Sequence, residues 1–447
     1  MMRIEPSRSY RPPLAGPQGA LRPAAALIAG VLLASCGDQG SSRASATNAP
    51  QYGLRDSAGI RIAENPRPAP DSRLGWTVSA EPLVSIGTPE GDSTFQLHRV
   101  SDATRLADGG VVVANGGSLE LLVFDAEGNH LDSWGGGGEG PGEFGGLNRV
   151  RPWAGDSLIA GDPEQGRISI FDSEGTHGRT SVLHGRDEDE GLLATVADPA
   201  QSLGAIGTIV PDVLIGVLPD GILFTGGSDN IAMVGFGRRD HAYALRTIDG
   251  DTRVPLGEYP GPLTYTENYR AGGGFIFIPL THPFGNTTHA AIWGDLAVIG
   301  QTETYELRGF RSDGSLACIV RRDYEPGTPT QAEQDAHFRE QFARYSDERR
   351  ARTTEVAANV PLVDAFPAFG PVMGDALGHL WVADFKRPGD EYAGTLWTVF
   401  DGEGRMLGLV RTPGGTTVFE IGEDYILGLG TDDLGVEYVE VWGLDRG

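Results

Sequence analysis

The feature that most constrains the fold is a repeated phrase of two short β-rich runs, each bounded by a turn. In its clearest copy, 106–114 carries an Asp-Gly turn and one run, and 121–128 carries a second run that ends in Glu-Gly. Five further copies occupy 154–175, 218–250, 292–314, 375–404 and 421–444. Glycine adopts positive φ readily, so these sequences favour tight turns between antiparallel strands.

The size of each copy predicts the architecture. One copy is too small to bury its own apolar face, and radial packing of several such sheets solves that problem while protecting their edges. We therefore predict an all-β fold: a six-bladed β-propeller over residues 71–447, with inserted loops and one helical insertion. Little chain follows the last copy, so the β-rich segment 75–86 is expected to supply its outer strand and close the ring.

Uneven spacing of the copies predicts three insertions. The first lies around 185–212 and contains the acidic run 187–190, the second covers roughly 255–288 and is rich in Gly and Pro, and the third runs from about 330 to 351. Thr330-Gln-Ala-Glu333 matches a helix capping box, and Phe338, Phe342 and Tyr345 fall on one helical face. We expect this stripe to pack on the propeller as satellite core; gripping a ligand is the alternative.

The amino end reads as a targeting segment. Basic residues precede an apolar run, 24–34, which is shorter than the about 20 residues that cross a bilayer, and the run ends in Leu33-Ala34-Ser35-Cys36. This resembles the lipobox of bacterial lipoproteins and implies a signal peptide over 1–35, palmitate-type acylation of Cys36 and a flexible tether over 36–70. The protein would then face the periplasm or exterior of the cell envelope. An ordinary signal peptide cleaved nearby is the alternative.

Charge narrows the range of partners. The chain has 61 acidic and 35 basic residues and a net charge of −26, which repels nucleic acid and favours cationic or neutral ligands. No cofactor is assigned. Ca²⁺ would suit the abundant carboxylates, but the best local cluster (Asp220, Asp229, Asn230 and Asp240) lacks the spacing of a calcium loop. Cys318, within an apolar run, is expected to be a small core residue.

No catalytic residue can be assigned from the sequence. It contains no phosphate-binding Walker loop, no Gly-x-Ser-x-Gly elbow and no zinc-binding His-Glu-x-x-His helix. The Gly-rich stretch 135–142 is interpreted as a crossing between blades rather than a phosphate cradle, because Glu139 and Glu143 would repel phosphate.

Four residues are candidates for a channel or ligand-binding site. His98 and Arg99 precede the first copy, and Asn148 and Arg149 precede the second, so all four would lie near the propeller axis. An arginine facing the channel needs an anionic partner. A neighbouring carboxylate is the favoured partner, and a bound ligand is the alternative.

Two phrases resemble a known family. Gly140-Pro141-Gly142-Glu143-Phe144 and the ending 426–441 are similar to bacterial six-bladed β-propeller lipoproteins related to NHL-repeat and TolB-like propellers. The resemblance covers roughly 75–445. We expect a membrane-anchored module that binds or scaffolds a protein, peptide or glycan. A metal-dependent hydrolase or lactonase-like enzyme with its site in the central channel is the alternative.

Lipidation can be tested on the processed protein. Mass spectrometry of the mature amino terminus is expected to show an acylated Cys36, and Cys36→Ala is expected to abolish both the acyl mass and membrane retention. An unmodified cysteine in the wild-type protein would contradict the anchor.

Overall fold

Antiparallel strands dominate the computed structural model of this chain. The structure describes residues 52–69, 71–183, 207–209, 212–227, 229–231, 234–249, 253–271, 274–390 and 393–447. The predicted signal peptide, Cys36 and the first part of the predicted tether lie outside the described residues, as does most of the predicted insertion around 185–212. The described residues belong to one compact unit.

The first third of the described chain forms four short strands and two complete sheets. The short strands are β1 (Gly53–Ser57), β2 (Ile60–Asn65), β3 (Thr77–Val78) and β4 (Val84–Ile86), followed by a 3₁₀ turn at Ser93–Phe95. Sheet 1 contains β5 (Val100–Arg105), β6 (Val111–Asn115), β7 (Glu120–Phe124) and β8 (His130–Gly135). Sheet 2 contains β9 (Arg149–Pro152), β10 (Leu158–Asp162), β11 (Arg167–Phe171) and β12 (His177–Val182).

The middle of the chain forms the two largest sheets. Its first strands are β13 (Gly207–Ile209), β14 (Val213–Val217), β15 (Leu223–Gly227), β16 (Asp229–Ile231), β17 (Gly235–Arg246), β18 (Arg253–Ala271) and β19 (Gly274–Thr281). Sheet 3 has the order β14-β15-β17-β18-β19, and β13 pairs separately with β16. Sheet 4 contains β20 (Thr288–Trp293), β21 (Leu296–Gln301), β22 (Glu306–Phe310) and β23 (Leu316–Arg322), with β2 and then β1 added outside β23.

The last third holds the helices and two further sheets. The helices are α1 (Gln331–Phe342) and α2 (Asp347–Ala357). Sheet 5 contains β24 (Val372–Gly374), β25 (Leu380–Ala383), β26 (Leu396–Phe400) and β27 (Met406–Arg411). Sheet 6 contains β28 (Thr416–Ile421), β29 (Tyr425–Thr431) and β30 (Glu437–Asp445). The two runs of every predicted copy correspond to the second and third strands of one of these six sheets.

Each sheet packs against the next through its first strand. The first strands β5, β9, β14, β20, β24 and β28 lie at sheet edges and neighbour one another in that order, and β28 lies beside β5. We call these six the inner strands. The predicted all-β, propeller-like class is thereby confirmed.

A separate apolar cluster fills each contact between neighbouring sheets. Between sheets 1 and 2, Trp134 stacks on Phe171 with ring centroids 6.3 Å apart, and Phe144 is fully buried beside them. Corresponding clusters join sheets 2 and 3, 3 and 4, 4 and 5, 5 and 6, and 6 and 1. Cys318 lies in the cluster between sheets 4 and 5, which confirms its assignment as a core residue. Burial of apolar surface on both faces of each sheet is therefore the main source of stability.

The segment before sheet 1 runs along the outer edges of three sheets. β2 pairs in parallel with β23 of sheet 4, Arg73 bridges to Leu409 of sheet 5, and β3 and β4 both pair with β30. The predicted pairing of 75–86 with the last copy is confirmed. The boundary of the tether needs correction, because 53–65 was assigned to it and instead forms two strands of a sheet.

Asp residues and glycines fix the turns in the way that the sequence predicts. In the turn after β7, the Asp125 carboxylate accepts hydrogen bonds from the backbone N–H groups of Glu127 and Asn129, and Gly128 has a φ of +86°. These bonds, with the Asn129 side chain contributing most, hold the pKa of Asp125 below its usual value. The same arrangement recurs around Asp172 and Asp401. These carboxylates therefore serve the turns.

The helical insertion packs where the sequence places it, although it contains two helices rather than one. The capping box of Thr330 and Glu333 is present at the start of α1. Phe338 and Phe342 are buried and stack at 5.5 Å, and together with Tyr345 they contact Leu280 of β19. The prediction of satellite core is confirmed. The Gly- and Pro-rich insertion is the other partner, since it contains β19, which pairs antiparallel with β18.

The Gly-rich stretch connects β8 to β9, as expected for a crossing between sheets. Phe144 anchors it in the core, and Arg167 donates hydrogen bonds to the backbone carbonyls of Glu139, Gly140 and Glu143 at 3.0, 3.2 and 2.6 Å. The Glu143 carboxylate accepts the N–H of Gly140 at 2.8 Å.

No helix in the described part of the chain is long and apolar enough to span a membrane.

The contribution of the early strand β4 can be measured with two substitutions in one segment. Ile86 is 1% exposed and lies in the cluster between sheets 6 and 1. We expect Ile86→Ala to lower the free energy of unfolding by about 2–4 kcal/mol. Leu83 is 67% exposed, so Leu83→Ala is the control and should change it by less than about 0.5 kcal/mol. Equal effects in denaturant titrations would contradict a structural role for this strand.

Candidate functional site

A buried carboxylate lies at the junction of the first two inner strands. Asp102 of β5 has no exposed side-chain surface, and its Oδ2 accepts hydrogen bonds from the Val150 N–H at 3.0 Å and from Arg151 Nη1 at 2.5 Å. Arg149 Nη1 lies 3.8 Å from Oδ1 of the same carboxylate. A buried charge is tolerated only when it is paired in this way, so Asp102 fixes β9 against β5.

Arg151 extends this network to a third inner strand. Its guanidinium also donates to the carbonyl of Val150 at 2.7 Å and to that of Phe419, on β28, at 3.4 Å. Burial lowers the pKa of Arg149; the Asp102 charge opposes this effect and the Arg151 charge adds to it. The network therefore connects sheets 1, 2 and 6 around one carboxylate.

The four predicted site residues have different surroundings. Arg149 has a carboxylate neighbour in Asp102, which is the favoured one of the two predicted partners. Asn148 is partly buried, and its Oδ1 has no hydrogen-bond partner within the described chain. His98 and Arg99 are exposed, and Arg99 has an uncommon φ of +56°. A role for any of them in ligand binding stays a prediction.

Sequence reasoning missed the two residues that organise this region. Asp102 is the third residue of β5, a mostly buried strand. Arg151 is two residues after Arg149 and therefore lies on the same face of β9. A lone acidic residue inside a strand with buried neighbours is the signal that could have found Asp102.

A cleft opens at the end of the inner strands where their first turns lie. We call it the acidic cleft; its volume is about 890 Å³, and the turns 106–109, 155–158 and 422–425 form much of its wall. Four carboxylates and one arginine line it: Asp108, Asp156, Glu423, Asp424 and Arg105. The excess of negative charge favours cationic groups.

One side of the acidic cleft is an ordered aromatic wall. The Arg105 guanidinium lies 4.6 Å from the Tyr425 ring centroid and 3.8 Å from the Asp424 carboxylate. The Tyr425 hydroxyl donates to Glu420, whose other oxygen accepts from Thr104 Oγ1 at 2.6 Å. Burial, together with the Glu420 charge, raises the pKa of Tyr425 above its usual value, so this side chain is neutral and rigidly held.

A second network ties the two ends of the domain together beside the acidic cleft. The Asp375 carboxylate accepts hydrogen bonds from Trp381 Nε1 at 3.0 Å and Arg446 Nη1 at 2.8 Å, and His379 Nδ1 lies 2.9 Å away. Arg446 also lies over the Trp76 ring at 4.4 Å. Burial alone would raise the pKa of Asp375, but these hydrogen bonds and charges outweigh it and lower the pKa.

Among the residues that the structure describes, the carboxylates considered for Ca²⁺ do not come together as ligands of one ion. Asp220 accepts the N–H of Ile222 at 3.3 Å and thus serves a turn. The side chains of Asp229 and Asn230 lie outside the described residues. Across 52–69, 71–183 and the later described ranges, no group of three or more His, Cys, Asp or Glu side chains is placed to hold a metal ion.

The Asp102 network predicts a specific stability effect. Asp102→Asn removes the charge that compensates Arg151 and Arg149, so we expect the free energy of unfolding to fall by about 3 kcal/mol at pH 7. Asp433→Asn removes an equal charge from an exposed position and should change it by less than about 0.5 kcal/mol. Indistinguishable urea-unfolding curves for the two variants would disprove the role of Asp102.

Comparisons with known proteins find only distant structural similarity to this chain. No family model matches the sequence, and no curated protein does. A protein of Bacteroides fragilis described as exported is 10% identical, with a TM-score of 0.44 over 86% of this chain and 99% of that one.

Two enzymes are among the other solved structures that resemble it. A gluconolactonase from Xanthomonas campestris is 13% identical, with a TM-score of 0.41 over 89% of this chain and 97% of its own. Virginiamycin B lyase from Staphylococcus aureus is 9% identical, with a TM-score of 0.35 over 83% and 99%. Such weak likenesses transfer neither activity to this chain.

Proposed function

We propose that sheets 1 to 6 are the six blades of a closed β-propeller. The support is the order of the inner strands, each beside the next and β28 beside β5, together with a separate apolar cluster at every junction. The outer strand of the last blade comes from the beginning of the domain, through β3 and β4. Radial packing of this kind leaves only short, protected sheet edges.

We further propose that this propeller is a binding protein, held in the cell envelope by lipid on Cys36, that accepts a cationic segment of a peptide or protein in its acidic cleft. The observation that carries the proposal is the cleft itself, with a volume of about 890 Å³ and four carboxylates against one arginine. That volume is typical of ligand sites.

The walls of the acidic cleft suit a basic side chain. Tyr425 lines the cleft as a partly buried aromatic ring, and lysine and arginine side chains pack favourably against aromatic surface. Arg105 is already engaged by Asp424 and Tyr425. The incoming cation would therefore meet Asp156, Asp108 and Glu423 with little opposing charge. A long-range attraction from the net charge of −26 would add to this local one.

The proposal is tested with an acetylated, amidated trilysine peptide and a neutral triglutamine counterpart. Titration calorimetry on the purified protein at low salt should show binding of trilysine only, because triglutamine has no positive charge to meet the carboxylates of the acidic cleft. Asp156→Asn combined with Glu423→Gln should weaken trilysine binding about five- to thirtyfold, at about 0.5–1 kcal/mol for each exposed charge.

The matched control removes two carboxylates outside the cleft. Glu127→Gln combined with Asp433→Asn makes the same change in net charge at exposed positions, so trilysine affinity should change less than twofold. Equal losses in the two double variants would show non-specific attraction and refute the site. Stoichiometric Ca²⁺ or Zn²⁺ in the purified protein would instead favour the metal-dependent hydrolase.

A further inference from the structure

We propose that a second cavity, between sheets 4 and 5, binds a small organic anion with a carboxylate or phosphate group. We call it the arginine pocket; its volume is about 510 Å³, and Arg67, Pro68, Ala69 and Arg73 line it beside residues of sheets 4 and 5. Five arginines line it against three carboxylates, namely Arg67, Arg73, Arg322, Arg387 and Arg411 against Glu325, Asp384 and Asp390. This surplus is the reverse of the charge balance of the whole chain.

The pocket has a buried cationic anchor. Only 8% of the Arg322 side chain is exposed, and its guanidinium lies 4.1 Å from the Tyr305 ring centroid. Nη1 donates to the Asp384 carboxylate at 3.0 Å and also to the Thr398 hydroxyl. The buried Nε–H of Arg322 has no hydrogen-bond partner in the described structure. Buried donors are normally satisfied, so Arg322 is an incompletely hydrogen-bonded cation in the lining of the cavity.

The carboxylates of the pocket already have cationic or backbone partners. Asp384 is held by Arg322, Glu325 forms an ion pair with Arg67, and Asp390 accepts the backbone N–H of Arg387 at 2.9 Å. Two of the three negative charges are thus matched by two of the arginines. Five guanidiniums against three carboxylates leave an excess of two positive charges among the residues that line the cavity, which gives it a positive potential.

An apolar wall faces these charges. Phe366 is buried, Phe385 packs against it with ring centroids 5.7 Å apart, and the Arg387 guanidinium lies 5.2 Å from the Phe366 ring. Arginine binds carboxylate and phosphate through two parallel hydrogen bonds, and an aromatic body would contact the phenylalanines. A volume of 510 Å³ suits a small molecule rather than a folded partner.

Phenyl phosphate, benzoate and benzyl alcohol are matched probes of this chemistry. Titration calorimetry on the full protein should show binding of at least one of the two anions and none of neutral benzyl alcohol. Phenyl phosphate against benzoate distinguishes a phosphate from a carboxylate ligand, and inorganic phosphate, which lacks the ring, should bind at least fivefold more weakly than phenyl phosphate. Binding should weaken as salt is raised. Benzyl alcohol binding as tightly as the anions would overturn the proposal.

Variants locate the bound anion. Arg73→Gln combined with Arg387→Gln should weaken anion binding at least tenfold, and Arg411→Gln alone should weaken it severalfold. Arg339→Gln combined with Arg344→Gln, two exposed positions on and just after α1, is the charge-matched control and should bind as the wild type does. The five arginines that these three variants change are all exposed. The melting temperatures of the variants should therefore equal that of the wild type. Equal affinity in the pocket and control variants would overturn the assignment, whatever the outcome at the acidic cleft.

Discussion

The arrangement of the inner strands depends on one buried carboxylate. Asp102 has no exposed side-chain surface, and its charge is met by Arg151 and Arg149 on the neighbouring strand β9. An apolar residue would pack there but would not choose between registers, whereas a buried charge excludes every register that leaves it unpaired. Since Arg151 also reaches the Phe419 carbonyl of sheet 6, the same charge positions the last sheet against the first two.

Closure between the chain ends rests on polar contacts added to apolar packing. β30 pairs with β3 and β4 from the beginning of the domain, and Arg446 joins Asp375 while covering the Trp76 ring. In a ring of packed sheets, the first and last sheets each leave one apolar face exposed unless they pack against each other. The segment that precedes sheet 1 along the chain thus lies at the outer edges of sheets 4, 5 and 6.

The repeats made the fold predictable, because Asp-Gly turns and alternating strands are local signals. The capping box of Thr330 and the stripe of Phe338 and Phe342 were equally local. The sites were less predictable, since they join residues far apart in sequence: Asp102 meets Arg151, and Arg322 meets Asp384. The strands at 53–65 were missed because a polar composition suited a tether, and their pairing with β23 is a tertiary effect.

The two cavities of this acidic protein carry opposite charge: carboxylates are in excess in the acidic cleft and arginines in the arginine pocket. In the acidic cleft, Asp108 accepts the backbone N–H of Gly110, so part of the negative charge there is a consequence of turn formation. The arginine pocket has no such local cause. Its guanidiniums come from the early segment, the end of β23, the loop after β25 and the end of β27. Convergence of like charges from four separate elements opposes folding by repulsion, and an anion that binds them would offset that cost.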